Sequence, residues 1–125
     1  MFPETLLLRQ INPSWVQNNR VTSQAFRPTP KDENLLSAYN ADLIDAEAAW
    51  KHFTTELERK SIGVYAVSFA ECTALDLPAR PDIEQFPEHA VIDFTGIGSS
   101  AADKKSKALR SQAESRGWLY QPASA

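Results

Sequence analysis

The chain has 125 residues, 13 Lys and Arg against 16 Asp and Glu, and a formal net charge of −3 at pH 7. That length suits one domain, which buries somewhat over ~60% of its unfolded surface without covalent staples, and the charge speaks against nucleic acid as a partner. One cysteine, Cys72, and two histidines, His52 and His89, exclude an internal disulfide, a multi-cysteine zinc site and a histidine-rich cage, so neither metal nor cofactor is expected.

The apolar run Leu6-Leu7-Leu8 lies between Glu4 and Arg9 and is too short for a signal peptide or a membrane span. The expectation is a cytoplasmic protein without membrane contact, residues 1–121 forming one domain and 122–125 a frayed tail. Thr5 to Ile11 predicts a first strand, which Asn12-Pro13-Ser14 ends. Asn18-Asn19 supplies a turn before Arg20 to Phe26, which reads as a half-exposed strand, and Leu35 to Tyr39 is a further apolar run. Asp45 caps a helix whose inward face is Ala46, Ala49, Trp50, Phe53 and Leu57, with Arg59 and Lys60 in its last turn.

Ser61 to Val67 is nearly apolar on both faces and predicts a central strand. Ser68 and Glu71 are spaced as a capping box for a short helix ending near Leu75, and Pro78 and Pro81 bracket an extended loop. Glu88 to Phe94 predicts a strand with Ala90, Ile92 and Phe94 on one face and His89, Val91 and Asp93 on the other. Ser99 or Ser100 caps a last helix, with Ala102, Leu109 and Ala113 inward and Gly117 as its stop, and Trp118 to Tyr120 adds a short strand. This order predicts an α+β domain: one mostly antiparallel sheet with the two longer helices covering one face.

The densest polar stretch is Arg20 to Glu33, stiffened by Pro28 and Pro30. Arg20, Thr22, Ser23, Gln24, Arg27, Lys31 and Asp32 offer cations, hydroxyls and an amide suited to a phosphate, a carboxylate or a partner's backbone. The same set also fits an edge strand guarded by charge. Trp15, flanked by polar residues, is the tryptophan expected to be partly exposed and open to a partner.

His89, leading into an apolar strand, is the candidate acid or base. Asp93 shares its strand face but lies roughly 13 Å away at strand rise, so an orienting partner is sought in Ser23, Lys31 or Asp32. Cys72 reads as a packed apolar residue. Gly96-Ile-Gly98-Ser-Ser-Ala101 matches the relaxed dinucleotide fingerprint but lacks the second strand and its acidic residue, leaving at most an anion site at Ser99 and Ser100. The basic stretch Lys104, Lys105, Lys107, Arg110 and Arg116 reads as a solvated helix face. Neither G-x-S-x-G nor H-E-x-x-H nor a glycine-lysine phosphate loop occurs, and on that ground a serine hydrolase, a zinc protease and a P-loop ATPase are all excluded at the level of sequence.

Four segments, Leu7-Leu-Arg-Gln-Ile-Asn-Pro-Ser-Trp-Val, Arg20 to Glu33, Phe86-Pro-Glu-His-Ala-Val-Ile-Asp-Phe and Arg116-Gly-Trp-Leu-Tyr, resemble a family of small uncharacterised bacterial proteins. The resemblance implies a bacterial, cytoplasmic, stand-alone domain and carries no catalytic residue across. The expected function is a protein-interaction module, an accessory subunit or immunity-type partner acting through Arg20 to Glu33. The alternative is a small enzyme or binder of a phosphorylated ligand or nucleotide, with Arg20, Arg27 and Lys31 on the anion and His89 as acid or base.

Overall fold

The computed structural model describes residues 1–29, 31 and 33–123. In chain order the elements are β1 (Leu6–Gln10), β2 (Val16–Gln17), β3 (Arg20–Val21), β4 (Leu35–Asn40), α1 (Ala46–Lys51), β5 (Val64–Ser68), α2 (Phe69–Ala74), β6 (Ala79–Pro81), β7 (His89–Asp93) and α3 (Ser99–Arg116). Strands β5, β1, β4, β7 and β6 lie side by side in that order, each neighbouring pair antiparallel, and β2 with β3 forms a separate hairpin. This is an α+β domain of one antiparallel sheet and two longer helical stretches, residues 46–56 and α3.

Alternation along the inner strands decides what each face meets. Leu7, Leu36, Ala38, Val67, Ala90 and Ile92 enter the larger core, against Ala102, Leu109 and Ala113 of α3. Leu8, Tyr39, Val64 and Ala66 enter a smaller core with Ala49, flanked by Trp50 and Phe53. The two helical stretches therefore cover opposite faces of the sheet rather than one. The reason is written in β1 and β5, whose apolar residues run on without alternation, as strands buried on both sides do.

Several local expectations hold. Asp45 Oδ1 accepts from the Ala48 amide at 2.8 Å. The capping box at α2 is reciprocal, Glu71 donating its amide to Ser68 Oγ at 3.1 Å and its carboxylate accepting the Ser68 amide at 2.7 Å. Gly117, at φ 85°, ends α3.

Others need correction. Arg20 to Phe26 is not one strand: β3 stops at Val21, and Ser23–Phe26 forms a 3-10 turn that buries Ala25 and Phe26. Ser106 Oγ on α3 donates to the Phe26 carbonyl at 2.9 Å, which satisfies a group that a strand would have paired within a sheet. The helix begun at Ala46 does not run regularly to Lys60. It changes at His52 into a π turn, His52–Glu56, in which the Leu57 amide donates to the His52 carbonyl at 3.1 Å. Gly98, without a side-chain bond, caps α3 in place of Ser99 or Ser100. Part of the loop between Pro78 and Pro81 pairs as the edge strand β6, and only Tyr120 of the last segment pairs, with Val64. Among the described residues no helix is long and apolar enough to cross a membrane.

Candidate functional site

The β1–β4 ladder pairs Leu7 with Asn40 and Leu8 with Tyr39 and goes no further, while β1 stays paired with β5 out to Gln10↔Val64 and β4 with β7 out to Leu35↔Asp93. The middle of the sheet thus opens beyond Leu8. Arg9 sits in the opening and ties its sides together. Its Nη1 donates to the Ser37 carbonyl at 2.6 Å, and Nε and Nη2 donate to the Ala25 carbonyl at 2.9 and 2.6 Å. Its guanidinium also lies 5.4 Å over the Trp15 ring, the half-buried tryptophan singled out above.

The opening leads to a cavity of about 230 Å³. Its floor is Leu8, Gln10, Ser37, Tyr39 and His89 from the sheet; Phe53, Leu57 and Arg59 come from the π turn and the residues after it; Phe86 closes one side. A π turn widens a helix locally and is frequent at functional sites. Here it carries Phe53 onto the cavity, while its first residue, His52, hydrogen-bonds the Tyr39 hydroxyl through Nδ1 at 2.7 Å. Burial pushes the Tyr39 phenol well above its ordinary pKa, so it stays protonated. Phe86 lies between rings, with centroids 5.2 Å from Tyr39, 4.7 Å from His52 and 5.0 Å from His89. The result is a wall of π faces suited to an aromatic ring.

His89 is only 4% exposed. Its Nδ1 faces the Asp82 carbonyl at 2.9 Å and the Asp82 carboxylate at 3.3 Å. With two acceptors there, Nδ1 carries the hydrogen, and Nε2 is left as the acceptor for the Ser37 hydroxyl at 3.2 Å. The Asp82 amide in turn donates to the His89 carbonyl at 2.9 Å, so the two residues lock one another. Gln10 also faces the cavity; its Oε1 accepts from Ser61 at 2.8 Å, but its Nε2 is buried without a hydrogen-bond partner. A buried donor without an acceptor costs about 1–3 kcal/mol, which an acceptor on a ligand would recover.

The residues marked in the sequence scatter. His89 reaches the cavity, but its partners are Ser37 and Asp82, not Ser23 or Lys31, and Asp32 lies outside the described residues. Arg27 borders the cavity yet is engaged with Asp103 and with Ser99 Oγ on α3, the second contact at 3.1 Å. Ser99 is thereby committed to Arg27, and Ser100 is exposed beside it. Arg20 forms a bidentate pair with Glu114, at 2.7 and 2.9 Å. Thr22 donates its hydroxyl to the Trp15 carbonyl at 2.9 Å. Arg20, Thr22 and Ser23 border a separate groove of about 390 Å³ with Lys107 and Arg110, where Glu114 balances both arginines. Gln24 and Lys31 are exposed. Cys72 is fully buried in the larger core across the sheet from His89, and burial pushes its thiol up to about 12. The larger groove has Val21 as its one apolar lining residue and no aromatic ring, whereas the smaller cavity has Tyr39, Phe53 and Phe86, so the cavity is the better site for a ring.

Sequence reasoning missed Gln10, Ser37, Tyr39, Asp82 and Phe86. A signal existed for Ser37, the one polar residue inside the run Leu35 to Tyr39. Among the described residues, no cluster of His, Cys, Asp and Glu could hold a metal ion. Comparisons with protein families, with curated proteins and with solved structures each gave no match.

Proposed function

We propose that the chain binds a small phosphorylated aromatic ligand, of nucleotide class or simpler, in the cavity at the split of the sheet, with His89 as acid or base. The observation that carries this reading is the pairing of an aromatic wall, Tyr39 and Phe86, with the buried donor Gln10 Nε2 that has no partner inside the protein. Arg59, exposed at the edge of the same cavity, is the cation for the phosphate. A volume of about 230 Å³ falls below the usual ~300–1,000 Å³ of ligand pockets, so it favours one ring with its anionic group at the mouth over a dinucleotide. A reducing compartment, the cytoplasm, suits the buried thiol of Cys72.

Thermal unfolding with a panel of aryl phosphates and nucleoside monophosphates tests the reading. A ligand at 100 times its dissociation constant adds about 2.7 kcal/mol, and Arg59→Ala should remove about half of that gain. No stabilisation by any member of the panel at millimolar concentration would overturn the proposal. The competing reading, a protein partner docking on residues 20–33, then draws on the exposed Gln24 and Lys31.

A further inference from the structure

Two side chains at the cavity form a pair of the kind that activates a hydroxyl. The Asp82 backbone carbonyl accepts from His89 Nδ1 at 2.9 Å with the Asp82 carboxylate 3.3 Å away, His89 Nε2 faces Ser37 Oγ at 3.2 Å, and Ser37 is exposed on the cavity floor. A Ser-His-Asp set is recognised by geometry and roles, not by sequence position. The missing G-x-S-x-G motif excludes only the version built on a strand-to-helix elbow. Here the serine stands in the middle of β4, where the ladder to β1 has already ended, so no neighbouring strand covers it on that side.

A developing oxyanion needs a donor as well. The β1–β4 register, Leu7 with Asn40 and Leu8 with Tyr39, sets Gln10 opposite Ser37 across the opening when it is continued by two residues. Gln10 is 94% buried by its 6% exposure, and its Nε2 is the buried donor without a partner. Serine, histidine, the orienting Asp82 carbonyl and a donor across the gap thus converge from four stretches of chain.

We propose that Ser37 is a nucleophile and that the chain cleaves a small carboxylic ester of the ligand class given above, on whose binding reading this inference rests. Ser37 Oγ forms a bond to the ester carbonyl carbon as its proton passes to His89 Nε2. The carbonyl oxygen takes the electron pair and is held by Gln10 Nε2. Collapse breaks the bond to the alcohol, which leaves with the proton from His89. Water then adds to the acyl carbon, gives its proton to His89 and releases the carboxylic acid as Ser37 regains its hydrogen. The Asp82 backbone carbonyl fixes the tautomer of His89, and the Asp82 carboxylate lies close enough to favour the imidazolium as it forms.

The test is covalent capture on the full chain with a fluorophosphonate probe, read by intact mass and peptide mapping. The expected result is one equivalent bound, mapped to Ser37, and none in Ser37→Ala. His89→Gln should slow capture by at least about a hundredfold, and nitrogen-15 spectra of the parent imidazole should show the Nδ1–H tautomer that the Asp82 carbonyl holds. Capture elsewhere, or equal capture in Ser37→Ala, overturns the nucleophile. A His89→Gln variant captured at the parent rate, or a parent imidazole carrying its hydrogen on Nε2, overturns the pair. If phosphorylated aromatics stabilise Ser37→Ala and the parent chain equally while neither is captured, the nucleophile falls and the binding reading stands.

Discussion

Replacing Gly63 by alanine should be among the most damaging single-methyl changes in this chain. Gly63 holds φ at 153°, a conformation that side-chain-bearing residues rarely adopt, and a Cβ there would lie 2.7 Å from the Tyr120 carbonyl oxygen and 2.9 Å from the Trp118 ring. Neither neighbour can yield freely. The Tyr120 carbonyl accepts the Val64 amide at 2.9 Å, the Leu119 amide donates to the Val64 carbonyl at 2.9 Å, and Trp118 packs on Tyr65 with centroids 4.3 Å apart. Backbone strain of this kind costs about 1–3 kcal/mol and forced overpacking about 1–3 more, so the sum is about 4 kcal/mol. Against a total of ~5–15 kcal/mol for a domain, that is a large fraction. Urea unfolding followed by tryptophan fluorescence measures it; at a slope of ~2 kcal/mol per molar the midpoint should fall by about 2 M. A loss below about 1 kcal/mol would mean that residues 118–120 do not pack on β5 as described.

Three further outcomes are expected. Burial works to raise the Glu71 carboxyl pKa, but the Arg116 guanidinium, at 2.9 and 3.0 Å, and the Ser68 amide outweigh it and hold it below the ordinary value. That contribution is present above the unfolded pKa and is lost as pH falls through the depressed folded value. Glu71→Gln should therefore cost roughly 1–2 kcal/mol at neutral pH, and the gap should close in acid; urea titrations showing the same gap at both pH values would contradict the sign. Cys72, fully buried with its thiol pushed up to about 12, should react with a disulfide reagent only through unfolding, so rapid labelling of the native chain would refute its placement. Arg59→Ala should weaken a phosphorylated ligand by about tenfold at unchanged stability, whereas Arg20→Ala should leave binding intact; calorimetric titration separates them, and the reverse pattern would move the site to the Arg20 groove.

What the sequence made legible was local. Asp45, the Ser68–Glu71 box and Gly117 mark helix ends because caps act over three or four residues, and all are where their chemistry requires. The strand at His89 was legible together with its two faces, since alternation needs no partner to be read. The candidate site was not, because it depends on register. His89 meets Ser37, 52 residues away, only because β4 pairs with β7 so that Tyr39 lies opposite His89. Equally, nothing local says that β1 and β4 part beyond Leu8, which is what leaves Gln10 and Ser37 facing a cavity instead of a ladder. The polar stretch 20–33 looked like a recognition loop because its charges are visible in sequence while their partners on α3, Asp103 and Glu114, are not.

The most direct test of the cavity as the functional site is a nitrogen-15 chemical-shift titration with phenyl phosphate and adenosine 5′-monophosphate. Saturable shifts concentrated at Gln10, Ser37, Tyr39, Phe86 and His89 are expected, with affinity about tenfold weaker in Arg59→Ala. Shifts confined to Arg20, Thr22, Ser23, Lys107 and Arg110, or none at millimolar ligand, would contradict that assignment.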